Sequence, residues 1–195
     1  MKKIFLSVLL MMANSLAFAQ PIQMDALSQM LKNTRTVSGD FEQIRHLKSL
    51  PIPIKSAGNF AIQQDKGLYW HMSSPIESTL RVTKNGIEEL SANGSWLPAS
   101  NQSKESLLLD LFNGDIESLR EQFNMSLTGT SENWQLSLTP KGIILKQIFD
   151  RIEIKGSSSL ESVHIFEQQG DDTIISFSKQ KINQALKGAA LHALE

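Results

Sequence analysis

The chain has no cysteine. That excludes disulfides, thiolate metal ligands and a lipid carried on an N-terminal cysteine. Neither sign of charge is in excess, with 19 basic against 20 acidic residues. Nucleic acid, which wants a clustered basic face, is therefore not an expected partner. No apolar run reaches the ~20 residues that cross a bilayer as a helix. Catalytic signatures are missing as well. His46, His71, His164 and His192 are scattered, with no pair at metal-ligand spacing. There is no G-x-S-x-G and no glycine-rich phosphate loop. Ser176-Phe177-Ser178-Lys179 matches S-x-x-K, but it lies in an alternating strand pattern, whereas that motif belongs at a helix start. No catalytic residue, metal or cofactor is expected, and the chain does not read as an enzyme.

What is present begins with an export signal. Lys2 and Lys3 precede the apolar run Ile4 to Ala13, and Ala17-Phe18-Ala19 supplies the small residues of a cleavage site. Residues 1–19 are expected to be a secretory signal peptide cut between Ala19 and Gln20. A membrane-anchoring helix is the competing reading, for which the run is short. Residues 20–195 then form one domain, since neither an internal repeat nor a low-complexity linker interrupts them. Domains of ~150 residues bury about 70% of their unfolded surface. Without disulfides the fold must stand on that core.

Periodicity organises the domain. Met24, Leu27, Met30 and Leu31 share one helix face, so an amphipathic helix over Asp25 to Thr34 opens it. From Val37 the period becomes two. Phe60 and Ile62 share a strand face, as do Leu68, Trp70 and Met72, joined by the turn Gln64-Asp65-Lys66-Gly67. Leu80 and Val82 follow on the next strand. Asn85-Gly86 suits a type I′ hairpin, which needs two positive φ values, and Asn93-Gly94 repeats the device before Trp96. An antiparallel meander results. Ser103 is then a candidate N-cap for a helix carrying Leu107, Leu108, Leu111 and Phe112, stopped by Asn113-Gly114. Asp115 caps a second short turn with Ile116 and Leu119. Strands resume through Phe123, Met125 and Leu127, then Trp134, Leu136 and Leu138. A short helical segment from Ile143 to Phe149 precedes Ile152 and Ile154. A last hairpin turns at Gly170-Asp171 between Val163/Ile165 and Ile175/Phe177. Lys181 to Leu194 reads as a closing helix, with Ile182, Leu186 and Ala189 in register.

About ten twisted antiparallel strands curl rather than stay flat. The expected fold is α+β: a curled antiparallel half-barrel with a helical lid and a hydrophobic cavity on its concave side.

The residues also carry a family resemblance. Phe41-x-Gln43 follows the first helix, Gly58 precedes Trp70, and Pro75 follows it. The Leu138-Thr139-Pro140 turn, the Gly170-Asp171-Asp172-Thr173 hairpin and Phe177 come later in the same order. Together they resemble the LolA family, periplasmic carriers that ferry lipoproteins from the inner to the outer membrane. The resemblance spans nearly all of residues 20–195. It implies an incomplete barrel closed by helices around a hydrophobic cavity. It also implies a lipoprotein or lipid cargo, a transient inner-membrane donor, an outer-membrane acceptor, a monomer and a periplasmic location without a lipid anchor. Two departures stand out. Family members place Arg-Pro on the turn before the tryptophan, where this chain has Gln64-Asp65, so a lid-holding arginine does not carry over. The Leu47 to Pro53 insertion and Lys66-Gly67-Leu68-Tyr69-Trp70 look like a divergent branch of the family, whose members accompany lipid or polyene biosynthesis genes, which implies a lipid or polyene as the alternative to a lipoprotein cargo.

Acyl chains are best covered by adaptable, non-directional side chains. The expected cavity lining is Leu27, Met30, Leu31, Phe60, Trp70, Met72, Leu80, Val82, Leu107, Leu111 and Met125. Plain core packing is the alternative for such a stripe. His71 faces away from Trp70 and reads as a solvated strand residue. Asp171-Asp172 and Glu88-Glu89 read as solvated carboxylates beside turns. Arg45 and Lys48 are candidates for anionic lipid headgroups, weighed against an ordinary surface role. Two other functions compete with the carrier: a non-transporting interaction module that binds a partner by its open sheet edge, and a secreted hydrolase.

Overall fold

The computed structural model describes residues 20–99 and 104–195. The expected signal peptide and the Ser103 cap lie outside the described residues. In chain order the elements are α1 (Met24–Lys32), β1 (Thr36–His46), β2 (Ile54–Gln63), β3 (Gly67–Ser74), β4 (Ser78–Thr83), β5 (Gly86–Leu90) and β6 (Trp96–Pro98). There follow α2 (Lys104–Asn113), α3 (Ile116–Gln122), β7 (Phe123–Thr130), β8 (Asn133–Pro140), α4 (Ile143–Ile148), β9 (Phe149–Gly156), β10 (Leu160–Glu167), β11 (Asp172–Ile182) and α5 (Gly188–Leu194).

All eleven strands belong to one antiparallel sheet in the order β6-β5-β4-β3-β2-β1-β11-β10-β9-β8-β7. It is thus two meanders joined at β1 and β11, which pair from Val37↔Ile182 to His46↔Asp172. β6 and β7 are left as unpaired edges, so the sheet is unclosed. Antiparallel order also sorts the connections. Those of β1–β2, β3–β4, β5–β6, β8–β9 and β10–β11 gather at one end, and the remaining turns at the other.

Alternation decides which side is dry. Phe41, Phe60, Ile62, Leu68, Trp70, Val82, Leu136, Ile152, Val163, Ile175 and Phe177 all point to one face and fall in a single buried cluster. A cluster that reaches from β4 to β8 requires the sheet to wrap around it, and this is the curled half-barrel. α1, α2 and α3 cover the concave face through Leu27, Leu31, Leu108, Leu111, Phe112, Ile116 and Leu119.

Two expectations are corrected. The closing helix is only Gly188–Leu194, because β11 keeps its ladder with β1 as far as Ile182. Asn183 then takes φ +56° and holds that register: its Oδ1 accepts the Arg35 N–H at 2.7 Å, and its own N–H donates to the Thr36 carbonyl. Strand pairing of distant residues thus overrides a helical period in Ile182, Leu186 and Ala189. The helix also lies on the outer face, where Leu186, Ala193 and Leu194 pack on Ala61 and Tyr69. At the second hairpin Thr83 pairs with Gly86, so Lys84 and Asn85 form the turn. Only Gly86 takes a positive φ there, +114°. The Thr83 hydroxyl accepts the Asn85 N–H at 3.2 Å, a local bond that keeps Asn85 out of the left-handed region.

Candidate functional site

Every residue expected to line the cavity belongs to the concave core. Leu27, Leu31, Phe60, Trp70, Val82, Leu107 and Leu111 are buried, while Met30, Met72, Leu80 and Met125 are partly buried against them. The structure therefore brings the whole set together.

At its centre is an aromatic basin. Phe41 stacks on Trp70 with ring centroids 3.7 Å apart. Phe177 meets Phe60 edge-on at 5.0 Å and Trp70 at 6.4 Å. These rings come from β1, β2, β3 and β11, whose register places them side by side on the concave face. From α2, Phe112 drops onto the basin, 5.6 Å from Phe60 and 5.4 Å from Phe177. Phe41, Phe112 and Phe177 were missing from the expected lining. Phe41 and Phe177 had a strand-face signal; Phe112 sat in the α2 stripe, but nothing local says which residue of a stripe crosses to the sheet.

The lid is pinned at one corner. α2 ends at Gly114, with φ +64°, and the Ser28 hydroxyl of α1 donates to the Gly114 carbonyl at 3.0 Å. Asp115 caps α3 by accepting the Ser118 N–H. Among the described residues, α2 meets the sheet through apolar side chains. Among the described residues, the Gln64-Asp65 turn, where the family pattern has Arg-Pro, takes no bond to α2. A groove of about 350 Å³ separates Asp65 and Lys66 from Leu109, Asp110 and Asn113. Among the described residues the lid is thus held by apolar contacts.

Burial pushes the Asp110 carboxyl on α2 above the usual carboxylate range, and the charge of Asp115 adds to this. A raised pKa means that the closed lid prefers the protonated form. The stability this contributes is complete below the ordinary value of ~3.9 and is lost as pH rises through the raised one. Asp110→Asn is therefore expected to hold α2 more tightly at neutral pH. Hydrogen exchange should show slower α2 amides in the variant, with the difference vanishing in acid.

The interior itself is filled by side chains. A small opening of about 160 Å³ lies between α2, α3 and α4, lined by Leu107, Asp110, Leu119, Gln122, Phe123, Leu145 and Phe149. Pockets for small ligands run to ~300–1,000 Å³, so this opening is too small for an acyl chain, and the expected cavity on the concave side is not open among the described residues. A larger hollow of about 400 Å³ sits on the outer face under α5 and is bordered by Asp40, Asn59, Lys179, Lys181 and Gln184. Phe60, Ala61, Leu186 and Ala190 complete its lining, so it is mixed rather than apolar.

The outer face carries polar ladders. Asp172 Oδ2 lies 3.1 Å from His46 Nδ1 and 2.9 Å from His164 Nε2. Asp171 accepts the Lys48 N–H, and Glu88 pairs with Arg81 at 2.8 Å. These carboxylates are therefore bonded rather than merely solvated. His71 does face outward, but it is half-buried and bonded to Thr79 at 2.9 Å. Ser176 lies within β11, away from any helix start, and Lys179 pairs with Asp40 at 2.8 Å. Burial pushes the Asp172 carboxyl up, but the bonds and charge of His164 and His46 outweigh it and hold it below the usual range. Such a depressed group adds stability above ~3.9, lost as pH falls through the lowered value. Asp172→Asn is expected to cost under about 1 kcal/mol near neutrality, because the cluster is partly exposed. Urea unfolding of variant and wild type should converge at the acid end.

Comparison with known proteins follows the same geometry. The profile of the family described as outer membrane lipoprotein carrier protein LolA matches residues 32–191. An outer-membrane lipoprotein carrier protein of Hahella chejuensis is 24% identical over 202 residues, covering 96% of this chain and 88% of the relative. One of Dechloromonas aromatica is 27% identical over 170 residues, covering 85% and 80%. Among solved structures, a LolA superfamily protein from Nitrosomonas europaea superposes with a TM-score of 0.48 at 7% identity, covering 85% of this chain and 96% of that one.

Proposed function

The chain belongs to the LolA family of outer membrane lipoprotein carriers, and on that premise we propose that it is a periplasmic carrier of acyl chains. The cargo is the lipid part of a lipoprotein, or a related lipid, taken up by the concave face and shuttled toward the outer membrane. The observation that carries this reading is the seat of Phe112: an apolar side chain from a helical lid fills an aromatic basin in an unclosed sheet. An acyl chain makes the same non-directional contacts that Phe112 makes, so one replaces the other without stranding a polar group.

The energetics support a shuttle. Each CH₂ moved from lipid into water costs ~0.8 kcal/mol, so a multi-chain lipid does not cross an aqueous space unaided. A carrier must cover the chains and still surrender them. Lid closure supplies that balance, because the apolar lid competes with the cargo for one basin. The role needs no catalytic group. Donor and acceptor complexes at the two membranes are part of the proposal, as are a monomeric carrier and removal of residues 1–19.

The test is chemical. Protein purified from the periplasm is extracted, and its lipids are identified by mass spectrometry. Stripped protein is then offered a fluorescent di- or triacylated lipopeptide. Co-purified acyl lipid and saturable uptake are the expected results. Stripped protein that takes up neither lipopeptide nor phospholipid would overturn the carrier reading in favour of an interaction module.

A further inference from the structure

The exposed large hydrophobic residues among those described are Leu50, Ile52, Ile54, Ile76, Leu90, Leu97, Ile143, Ile144 and Ile148. Their positions are not scattered. Leu50 and Ile52 are in the β1–β2 loop and Ile54 starts β2. Ile76 is in the β3–β4 turn, Leu90 and Leu97 flank the β5–β6 turn, and the other three lie on α4 between β8 and β9. These connections are the ones that antiparallel order gathers at one end of the sheet. The opposite end turns on Gln64-Asp65-Lys66, Lys84-Asn85, Ser131-Glu132 and Ser157-Ser158-Ser159, and exposes none of these large apolar residues. Neighbouring bonds tie the apolar end together: Lys48 N–H reaches Asp171, and Gln168 N–H reaches the Ile148 carbonyl.

We propose that this end of the sheet docks onto an anionic bilayer surface. Charge is the first argument. The stretch Leu47 to Lys55 carries Lys48 and Lys55, and the stretch Lys141 to Ile148 carries Lys141 and Lys146, with no carboxylate in either. All four lysines are exposed. Of the nearby carboxylates, Asp150 is paired with Arg151 at 2.9 Å and Glu167 with Arg45 at 3.6 Å, while Asp171, bonded to the Lys48 N–H, and Asp172, bonded to two histidines, keep their charge. Glu77 beside Ile76, Glu89 beside Leu90 and Glu121 beside Arg120 are acidic, so the attraction centres on the two lysine-bearing stretches.

Residue type is the second argument. Protein interfaces enrich aromatic residues and arginine and deplete lysine. The exposed tips of this end offer leucine and isoleucine beside lysine, its arginines Arg45, Arg120 and Arg151 being paired with Glu167, Glu117 and Asp150. Aliphatic side chains beside lysine are the pairing in which the former enter the acyl boundary while lysine heads stay with the phosphates. α4 adds a third point. Its Ile143 and Ile144 face solvent, while Leu145 on the same helix lines the small opening into the concave interior. The docking end therefore also carries a small opening toward the interior.

The purified full chain, as cells export it, is centrifuged with phosphatidylcholine vesicles and with vesicles that also contain phosphatidylglycerol. Neither contains lipoprotein, so docking is read apart from cargo. The expected result is sedimentation with anionic vesicles, weakened by salt. Ile52→Ser/Ile143→Ser/Ile144→Ser should abolish it. Lys48→Gln/Lys146→Gln should weaken it about tenfold, each lysine near a charged surface contributing a several-fold factor. Lys66→Gln/Lys84→Gln, at the opposite end, should leave it unchanged. Circular dichroism checks that each variant is folded. Wild type that ignores both vesicles, or loses binding equally with the control pair, overturns the proposal. So does an apolar-end variant that changes only self-association or capture of a protein partner. Carrier function survives such a result if stripped protein still takes up lipopeptide.

Discussion

Trp134→Ala is expected to lower the free energy of unfolding by about 4 kcal/mol, in the middle of the ~3–5 kcal/mol seen for large aromatic truncations in cores. Trp134 is 1% exposed on β8, opposite Gly156 of β9. Its indole lies directly across that glycine: a Cβ on Gly156 would sit 2.4 Å from ring atom Cζ2. Its Nε1–H donates to the Ser157 carbonyl at 2.7 Å, which fixes the β9–β10 turn. Truncation therefore opens a cavity and strands a carbonyl at once. Trp134→Phe should keep most of the burial and lose only about 1–2 kcal/mol for the hydrogen bond and residual gap. Urea unfolding followed by circular dichroism checks both. Equal losses in the two variants would place the effect in the hydrogen bond rather than in packing.

That tryptophan also shows what could be read from the chain alone. Trp134, Leu136 and Leu138 alternate so regularly that strand, face and burial follow from period two. The same holds for Leu68-Trp70-Met72 and for most of the meander. Residues 181–187 were misread because their fate depends on Thr36 and Val37, nearly 150 positions away, and no local pattern reports such a ladder. The type I′ turn failed at Asn85 for a more local reason, a hydroxyl two residues back. At the candidate site, the wall was legible and its key was not. Which rings of β1, β3 and β11 touch depends on cross-strand register, and Phe112 meets them only because α1, through Ser28, fixes where α2 ends. The His46–Asp172–His164 ladder was hidden in the same way: His46 lies 126 positions before Asp172 and meets it only through the β1–β11 ladder, although His164 is just across a hairpin.

Phe112→Ala is expected to act differently from Trp134→Ala, although Phe112 is just 4% exposed. If α2 is a lid, truncating Phe112 removes up to ~3–5 kcal/mol from closure. The damage to the sheet is limited, however, because the open form keeps its strands paired. Once closure is exhausted, further loss of contact no longer lowers global stability. Hydrogen exchange should then show α2 amides losing protection while those of β8 and β9 keep most of theirs. Cargo uptake should move the opposite way. Closing the lid scales apparent affinity down to the fraction of molecules that remain open, and each ~1.4 kcal/mol removed from closure returns up to tenfold. Stripped Phe112→Ala protein should therefore take up lipopeptide faster and at least tenfold more tightly, and release it more slowly. Phe112→Leu, which refills much of the basin, should restore intermediate behaviour. Full destabilisation with α2 still protected would make Phe112 an ordinary core residue and remove the lid from the mechanism. Loss of α2 protection without gain in uptake would leave a mobile helix that guards no cargo.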